Sequence, residues 1–245
     1  MWSSGSIVIP VYNSVDSLEE LFKRLSKVLK DIFIEYEIIL IDDCSSDNSF
    51  LKMKEMYNKY ENLKIISLRD NFGQQNAIKC GFEFATKEFI ITMDDDLQHQ
   101  PKDIIKIMKK INEGYDVVYG IAQKKEHNFI RNIGSKMTNF LFNVICHKPK
   151  DIGVSSFRCI KKNILEEIKK DKTTFVYITA ITLKITRNIG NVYVDHRKRK
   201  YGRSNYNYLK LMRLFLKLYV YYSDSRLFNK FIKNKPQFEI SEMYI

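Results

Sequence analysis

No stretch of this sequence reaches the ~20 consecutive apolar residues that a helix needs to cross a bilayer core, so the chain reads as soluble or peripheral. Its start, MWSSGSIVIP, has no basic region followed by a long apolar run, and no secretory signal is expected. Glycine and proline are scarce, at nine and four, which argues against long flexible linkers. The cysteines Cys44, Cys80, Cys146 and Cys159 share no C-x-x-C spacing. That spacing disfavours a zinc site, and so few cysteines suit the reduced thiols of a cytosol. Neither G-x-G-x-x-G nor G-x-x-x-x-G-K-[ST] occurs. Their absence argues against a dinucleotide oxidoreductase and against a P-loop ATPase. No internal repeat or low-complexity segment is present.

What is abundant is apolar and basic material. Hydrophobic residues make up 44% and aromatics 13% of 245 residues, enough to build a core and to exclude disorder. The length suits one domain, with or without an appended lobe. Lysine and arginine number 41 against 29 acids, a formal charge of +12. Such a surplus suits polyanions: nucleic acid, an anionic membrane or a phosphorylated ligand. No nucleic-acid-binding motif is present and the basic residues are not interleaved with an aromatic stacking platform, so no nucleic-acid partner is expected.

Short apolar runs alternate with helical patterns through the first half. Strands are predicted at 6–9, 37–41, 64–68, 89–93 and 116–119, and helices at 15–30, 50–60, 73–86 and 102–112. Runs that are apolar throughout rather than alternating imply strands buried on both faces, hence a mostly parallel α/β sheet flanked by helices. The second half predicts helices at 129–144, 162–170, 174–185 and 209–222, with strands at 154–160 and 191–194. Three parts follow: 1–120, 121–208, and a helix with a tail over 209–245.

Ligands of open parallel sheets bind beyond the carboxyl ends of the strands, and that is where the polar clusters fall. The first strand runs into Pro10, Tyr12 and Asn13, the second into Asp42, Asp43 and Asp47, the fourth into Asp94, Asp95 and Asp96. Three adjacent carboxylates repel one another unless a cation sits between them. Mg²⁺ and Mn²⁺ take oxygen ligands and bridge carboxylates to substrate phosphates. An acidic turn at a helix start is the plainer reading of the same residues. A carboxylate at the second strand end suits a ribose hydroxyl or a base N–H; a polar turn and helix cap is its plainer reading. Five of the seven residues from Arg197 to Arg203 are Lys or Arg, a concentration of like charge that is costly without an anionic partner.

The segments SIVIPVYNS, EIILIDDCSSDNS, LRDNFGQQNAIKCGFEFA and FIITMDDDLQHQP, followed by GYDVVYG, DIGVSSFRCI and HRKRKYGRSNY, resemble glycosyltransferase family 2 over about residues 5–222. The branch they resemble most contains dolichyl-phosphate mannose synthase and bacterial polyisoprenyl-phosphate sugar transferases. The resemblance implies a GT-A fold, Rossmann-like, with a helical extension on the acceptor side. It also implies a nucleotide-sugar donor (UDP- or GDP-linked), a divalent Mg²⁺ or Mn²⁺ ion, and an inverting displacement. By position, Pro10, Tyr12 and Asn13 would line the base and ribose pocket, and Asp43, supported by Asp42, would contact the nucleoside. Asn76 and Lys79 would lie near the pyrophosphate. Asp94 and Asp96 would form the D-x-D pair that holds metal, with Asp95 between them and Gln98 following. Arg199, Arg203 and Ser204 would close over the diphosphate, the two arginines serving catalysis.

Two features depart from the family. The E-D pair that supplies a base in many members is missing; the stretch there is KDKTTFVYITA, leaving Asp151, Asp171 and Asp195 as alternatives. A hydroxyl acceptor needs a base, whereas a phosphate monoester is largely ionised at pH 7, its second pKa being about 6. The expected acceptor is therefore a polyisoprenyl phosphate, the alternative a lipid-linked glycan extended at a hydroxyl in surface polysaccharide assembly. The transmembrane helices that often follow the basic loop in that branch have no counterpart in SDSRLFNKFIKNKPQFEISEMYI. Instead, Lys210, Arg213 and Lys217 form one stripe on a helix that is otherwise apolar. That helix is expected either to lie on the inner face of the cell membrane or to pack on the domain or in a homo-oligomer.

Overall fold

The computed structural model describes residues 1–122, 148–149, 151–195, 208–222 and 235–245. The helix expected at 129–144 and the basic loop at 196–207 lie outside the described residues. The elements are β1 (Trp2–Val11), α1 (Val15–Ile32), β2 (Phe33–Asp42), α2 (Ser49–Tyr57), β3 (Leu63–Leu68), α3 (Gln74–Phe84) and β4 (Phe89–Thr92). A 3₁₀ turn (Pro101–Asp103) leads into α4 (Ile104–Ile111), β5 (Val117–Ala122), β6 (Arg158–Lys161), α5 (Lys162–Lys170) and α6 (Ile178–Ile185). The chain continues with β7 (Ile189–Val194), α7 (Tyr208–Tyr222) and β8 (Ile240–Tyr244).

The strands form one mixed sheet in the order β7-β5-β6-β4-β1-β2-β3-β8. The four strands β4, β1, β2 and β3 at its centre are parallel; β6 and β8 run antiparallel to their neighbours. Side chains alternate across the sheet, so the apolar runs feed two cores. Ile7, Ile9, Ile38, Leu40, Ile65 and Ile91 pack with α1, α2 and α4 on one face. Val8, Ile39, Ile41, Ile66 and Ile90 pack with α3, α5, α6 and α7 on the other. This two-sided burial is why the strands read as unbroken apolar runs.

Several boundaries shift from the sequence reading. β1 and β2 begin earlier because Trp2 pairs with Phe33 across the ladder, their rings 6.3 Å apart. The strand expected at 154–160 pairs only over Arg158–Lys161, and α6 begins at Ile178 rather than Thr174. There the chain is held out of the helix: the Tyr177 N–H donates to Tyr222 Oη at 3.0 Å and the Ile178 N–H to Gln75 Oε1 at 3.0 Å. β8 was not expected. It adds the end of the tail to β3, so residues after 209 contribute a strand as well as a helix.

Candidate active site at the carboxyl edge of the sheet

The chain passes from β1 through α1 to β2 and through α2 to β3 on one face, then returns through α3 on the other face to β4, on the far side of β1. The neighbours β1 and β4 therefore define the topological switch point, where crevices of open α/β sheets form. Pro10 helps to open it. The Val8 carbonyl accepts the Met93 N–H, and the Val11 carbonyl accepts that of Asp43. Alternate residues of β1 thus bond to β4 and to β2, and residue 10 faces β4. Proline offers no N–H there. The β1–β4 ladder ends at Val8↔Thr92, whereas β1–β2 pairing continues to Val11↔Asp42. Pro10 itself is buried in the strand opposite Ile41. The resemblance set it in a base pocket; here its place is the strand end, which it shapes.

Among the described residues three non-glycine residues have positive φ: Asn13 at 52°, Cys44 at 58° and Leu97 at 59°. Each follows one of the strands β1, β2 and β4. Such conformations cost free energy for residues with a side chain, and they concentrate where surrounding contacts enforce them. For Asn13 those contacts are present. The Asn13 side-chain oxygen accepts the Ser46 N–H at 2.8 Å, and the Asn13 N–H donates to Ser45 Oγ at 3.0 Å, tying the β1 loop to the β2 loop. The Tyr12 N–H donates to Asp95 Oδ2 at 3.2 Å, tying it to the β4 loop across the switch point. The Tyr12 side chain is half exposed at this edge.

The acids divide into buried and open groups. Asp42 is buried; it accepts the Ser45 N–H and the Ser67 hydroxyl and so supports the loop. Asp43 is buried too, and its two oxygens accept the Phe72 and Gly73 N–H groups at 2.8 Å each. Gly73, at φ 90°, is the N-cap of α3, so Asp43 fixes where that helix starts. Burial, with the Asp42 charge beside it, pushes the Asp43 carboxyl up to about 6 against those two N–H groups. Asp95 also rises to about 6, first through burial and then through the charges of Asp94 and Asp96.

Asp94 and Asp96 are partly exposed. Asp94 accepts Gln74 Nε2 at 2.6 Å and Ser156 Oγ at 2.7 Å, and the buried His99 places Nδ1 3.9 Å from it. Asp96 accepts the Gln98 N–H at 3.0 Å. Among the described residues no group of three or more His, Cys, Asp or Glu is arranged to hold a metal. A cation between Asp94 and Asp96 would need further oxygens from a ligand, as Mg²⁺ sites at substrate phosphates do.

Asn76 lies in the first turn of α3 at the same edge, half-buried. Lys79 does not belong there. It is fully buried, and its Nζ donates to the Ile168 and Lys169 carbonyls at 3.1 and 3.0 Å and to Glu83 at 2.9 Å. It caps the last turn of α5, a favourable place for a cation. The expectation of a pyrophosphate contact is corrected, because an ammonium has three donors and all are used. Arg199, Arg203 and Ser204 fall outside the described residues. Of the alternative bases, Asp171 accepts the Thr173 N–H at 2.8 Å, Asp195 pairs with Lys102 at 3.1 Å, and Asp151 is exposed. Gln74 and Ser156, which hold Asp94, escaped the sequence reading. Their signal was a polar residue within the segments LRDNFGQQNAIKCGFEFA and DIGVSSFRCI, each leading to or from a buried element.

A doubly wound sheet with acidic strand ends gathered at its switch point defines a nucleotide-binding α/β protein. The chain matches Glycosyl transferase family 2 over residues 6–170 and belongs to that family; it is a glycosyltransferase. Its fold is similar to that of glucosyl-3-phosphoglycerate synthase from Mycobacterium tuberculosis. The complex of that protein with Mn²⁺, uridine diphosphate and glucosyl-3-phosphoglycerate has a TM-score of 0.66 at 13% identity, over 89% of this chain and 78% of that one. The complex with Mn²⁺, UDP-glucose and phosphoglyceric acid gives the same figures. The complex with Mn²⁺ and UDP-glucose gives 0.63 at 13% identity, over 89% and 77%.

Proposed function

We propose that this glycosyltransferase moves a sugar from a nucleotide-diphosphate donor to a polyisoprenyl phosphate, with inversion at the anomeric carbon, at the cytoplasmic face of a membrane. The observation that carries the donor half is the parting of β1 and β4 beside Asp94 and Asp96, with Tyr12 exposed on the opposite lip. Tyr12 and Asn13 would receive the nucleoside, and Asp43 would act mainly by fixing the α3 turn beneath it. The open pair Asp94 and Asp96 fits a hard divalent ion by donor type. Bound Mg²⁺ or Mn²⁺ would neutralise charge on the leaving diphosphate, a reading that the Mn²⁺ and UDP of the similar structures support. Arg199, Arg203 and Ser204 would add donors from the basic loop.

The acceptor half rests on residues 170–180, KDKTTFVYITA, which lack the E-D pair where many family members place a base and hold only Asp171, whose carboxylate accepts the Thr173 N–H. An ionised phosphate attacks without a base. Phosphoglyceric acid in a similar structure favours a second reading, a small phosphate-bearing acid as acceptor. The parent chain and Asp96→Ala, supplied with UDP- and GDP-sugars and Mn²⁺, should be offered polyprenyl phosphate, a lipid-diphosphate sugar and phosphoglyceric acid. Product is expected on polyprenyl phosphate, reduced on the order of 10²-fold or more in Asp96→Ala at unchanged thermal stability. Product on either other acceptor alone overturns the lipid-phosphate reading. A folded Asp96→Ala protein with normal turnover overturns the metal assignment.

A further inference from the structure

Helix α7 divides its apolar residues between two faces. Leu218 and Tyr222 are buried, and Leu214, Phe215 and Tyr221 are partly buried, all on the core shared by α3, α5 and α6. Tyr222 locks this side: its hydroxyl donates to the Phe175 carbonyl at 2.7 Å and accepts the Tyr177 N–H at 3.0 Å. Met212, Leu216 and Tyr219 point away, exposed by 40%, 55% and 40%. Steps of four and three put these three on one outward stripe. The other large apolar side chains exposed among the described residues lie on different elements. Beside the stripe stand Arg213 and Lys217, four apart and both exposed, the latter with its ammonium 5.2 Å from the Phe175 ring centroid. No acid occurs between Tyr208 and Tyr222.

An outward apolar row flanked on its own helix by the cations Arg213 and Lys217 is matched by a surface that is apolar within and anionic at its rim. The geometry points to an anionic lipid surface as the occupant of this face: α7 lies in the headgroup layer, Met212, Leu216 and Tyr219 inserted, Arg213 and Lys217 among the lipid phosphates. The helix spans 15 residues, and among the described residues no helix is long and apolar enough to cross a membrane, so the contact is in the interface plane. This differs from the sequence expectation, in which the helix either lay on the membrane or packed on the domain or in a homo-oligomer. The inference deepens the lipid-acceptor reading, yet its chemistry does not depend on that reading.

The test is co-sedimentation of the full chain with vesicles of phosphatidylcholine alone or mixed with phosphatidylglycerol, at low and high salt. Two variants accompany it, Leu216→Glu with Tyr219→Glu, and Arg213→Glu with Lys217→Glu. The parent should pellet with the anionic vesicles and be released by salt. Each double variant should partition roughly tenfold less or worse, while UDP-sugar still raises its melting temperature as in the parent, showing an intact fold. The inference is overturned if the parent stays in the supernatant at low salt, or if both folded variants pellet as the parent does. It is also overturned if duplex nucleic acid, not lipid, is what the stripe variants lose. Failure of the acceptor reading appears elsewhere, as vesicle binding without transfer to polyprenyl phosphate.

Discussion

With the nucleotide site placed as proposed, Asp43 would work for the fold and for the ligand with opposite pH dependence. Its folded value of about 6 lies above the ordinary 3.8. Its contribution to stability is therefore full below about pH 3.8 and lost as pH rises through about 6. Ligand binding should run the other way. The carboxylate accepts both the Phe72 and the Gly73 N–H; protonation turns one oxygen into a hydroxyl and weakens both charge-assisted bonds. Nucleotide affinity by calorimetry should therefore fall as pH is lowered from about 7.5 to about 5. Asp95 titrates in the same range, so Asp43→Asn should bind weakly at the higher pH and keep only the part of the pH dependence due to Asp95. An affinity profile unchanged by Asp43→Asn would show that the α3 turn does not control the nucleotide site.

At the scale of elements, α3 is the piece on which the site depends. Its N-terminal turn holds Asp43 and, through Gln74, Asp94. Its middle lies so close to the sheet that a Cβ at Gly81 would come within 2.5 Å of Val8 and 2.6 Å of Ile41. Gly81→Ala should cost about 1–3 kcal/mol through overpacking, which lowers the melting temperature by roughly 2–4 °C per kcal/mol for a chain of this size. Because a displaced α3 carries its N-terminal turn with it, nucleotide affinity should drop in the same variant. A glycine-to-alanine protein that melts and binds as the parent does would mean that the sheet yields easily under α3.

Across the whole molecule, the tail closes the edge of the sheet. β8 pairs Tyr244, Met243 and Glu242 with Ile65, Ile66 and Ser67 of β3, and Lys54 and Arg69 pair with Glu242 and Glu239. An exposed edge rich in isoleucine invites pairing with another chain, which charged side chains on the covering strand discourage. Removing residues 239–245 should therefore lower the melting temperature and produce concentration-dependent association in sedimentation velocity. A truncated protein that stays monodisperse at high concentration would mean that β3 needs no cover.

Much of this was written in the sequence. Apolar runs at 37–41 and 89–93 specified buried parallel strands because a two-sided core leaves no polar face to record. The acids after them marked the ligand edge because a strand end is where polar groups reach solvent. Strand order alone was not legible: only the return of α3 across the opposite face makes β1 and β4 neighbours and brings the loops after them to one edge of the sheet. The same limit explains Lys79, which the family resemblance set near a phosphate and to which the packing of α3 on α5 supplies two carbonyls. It explains β8 as well, since a short tail becomes a strand only when an edge exists to receive it. Periodicity records which residues leave water; which partners they meet is decided by packing between elements distant in sequence.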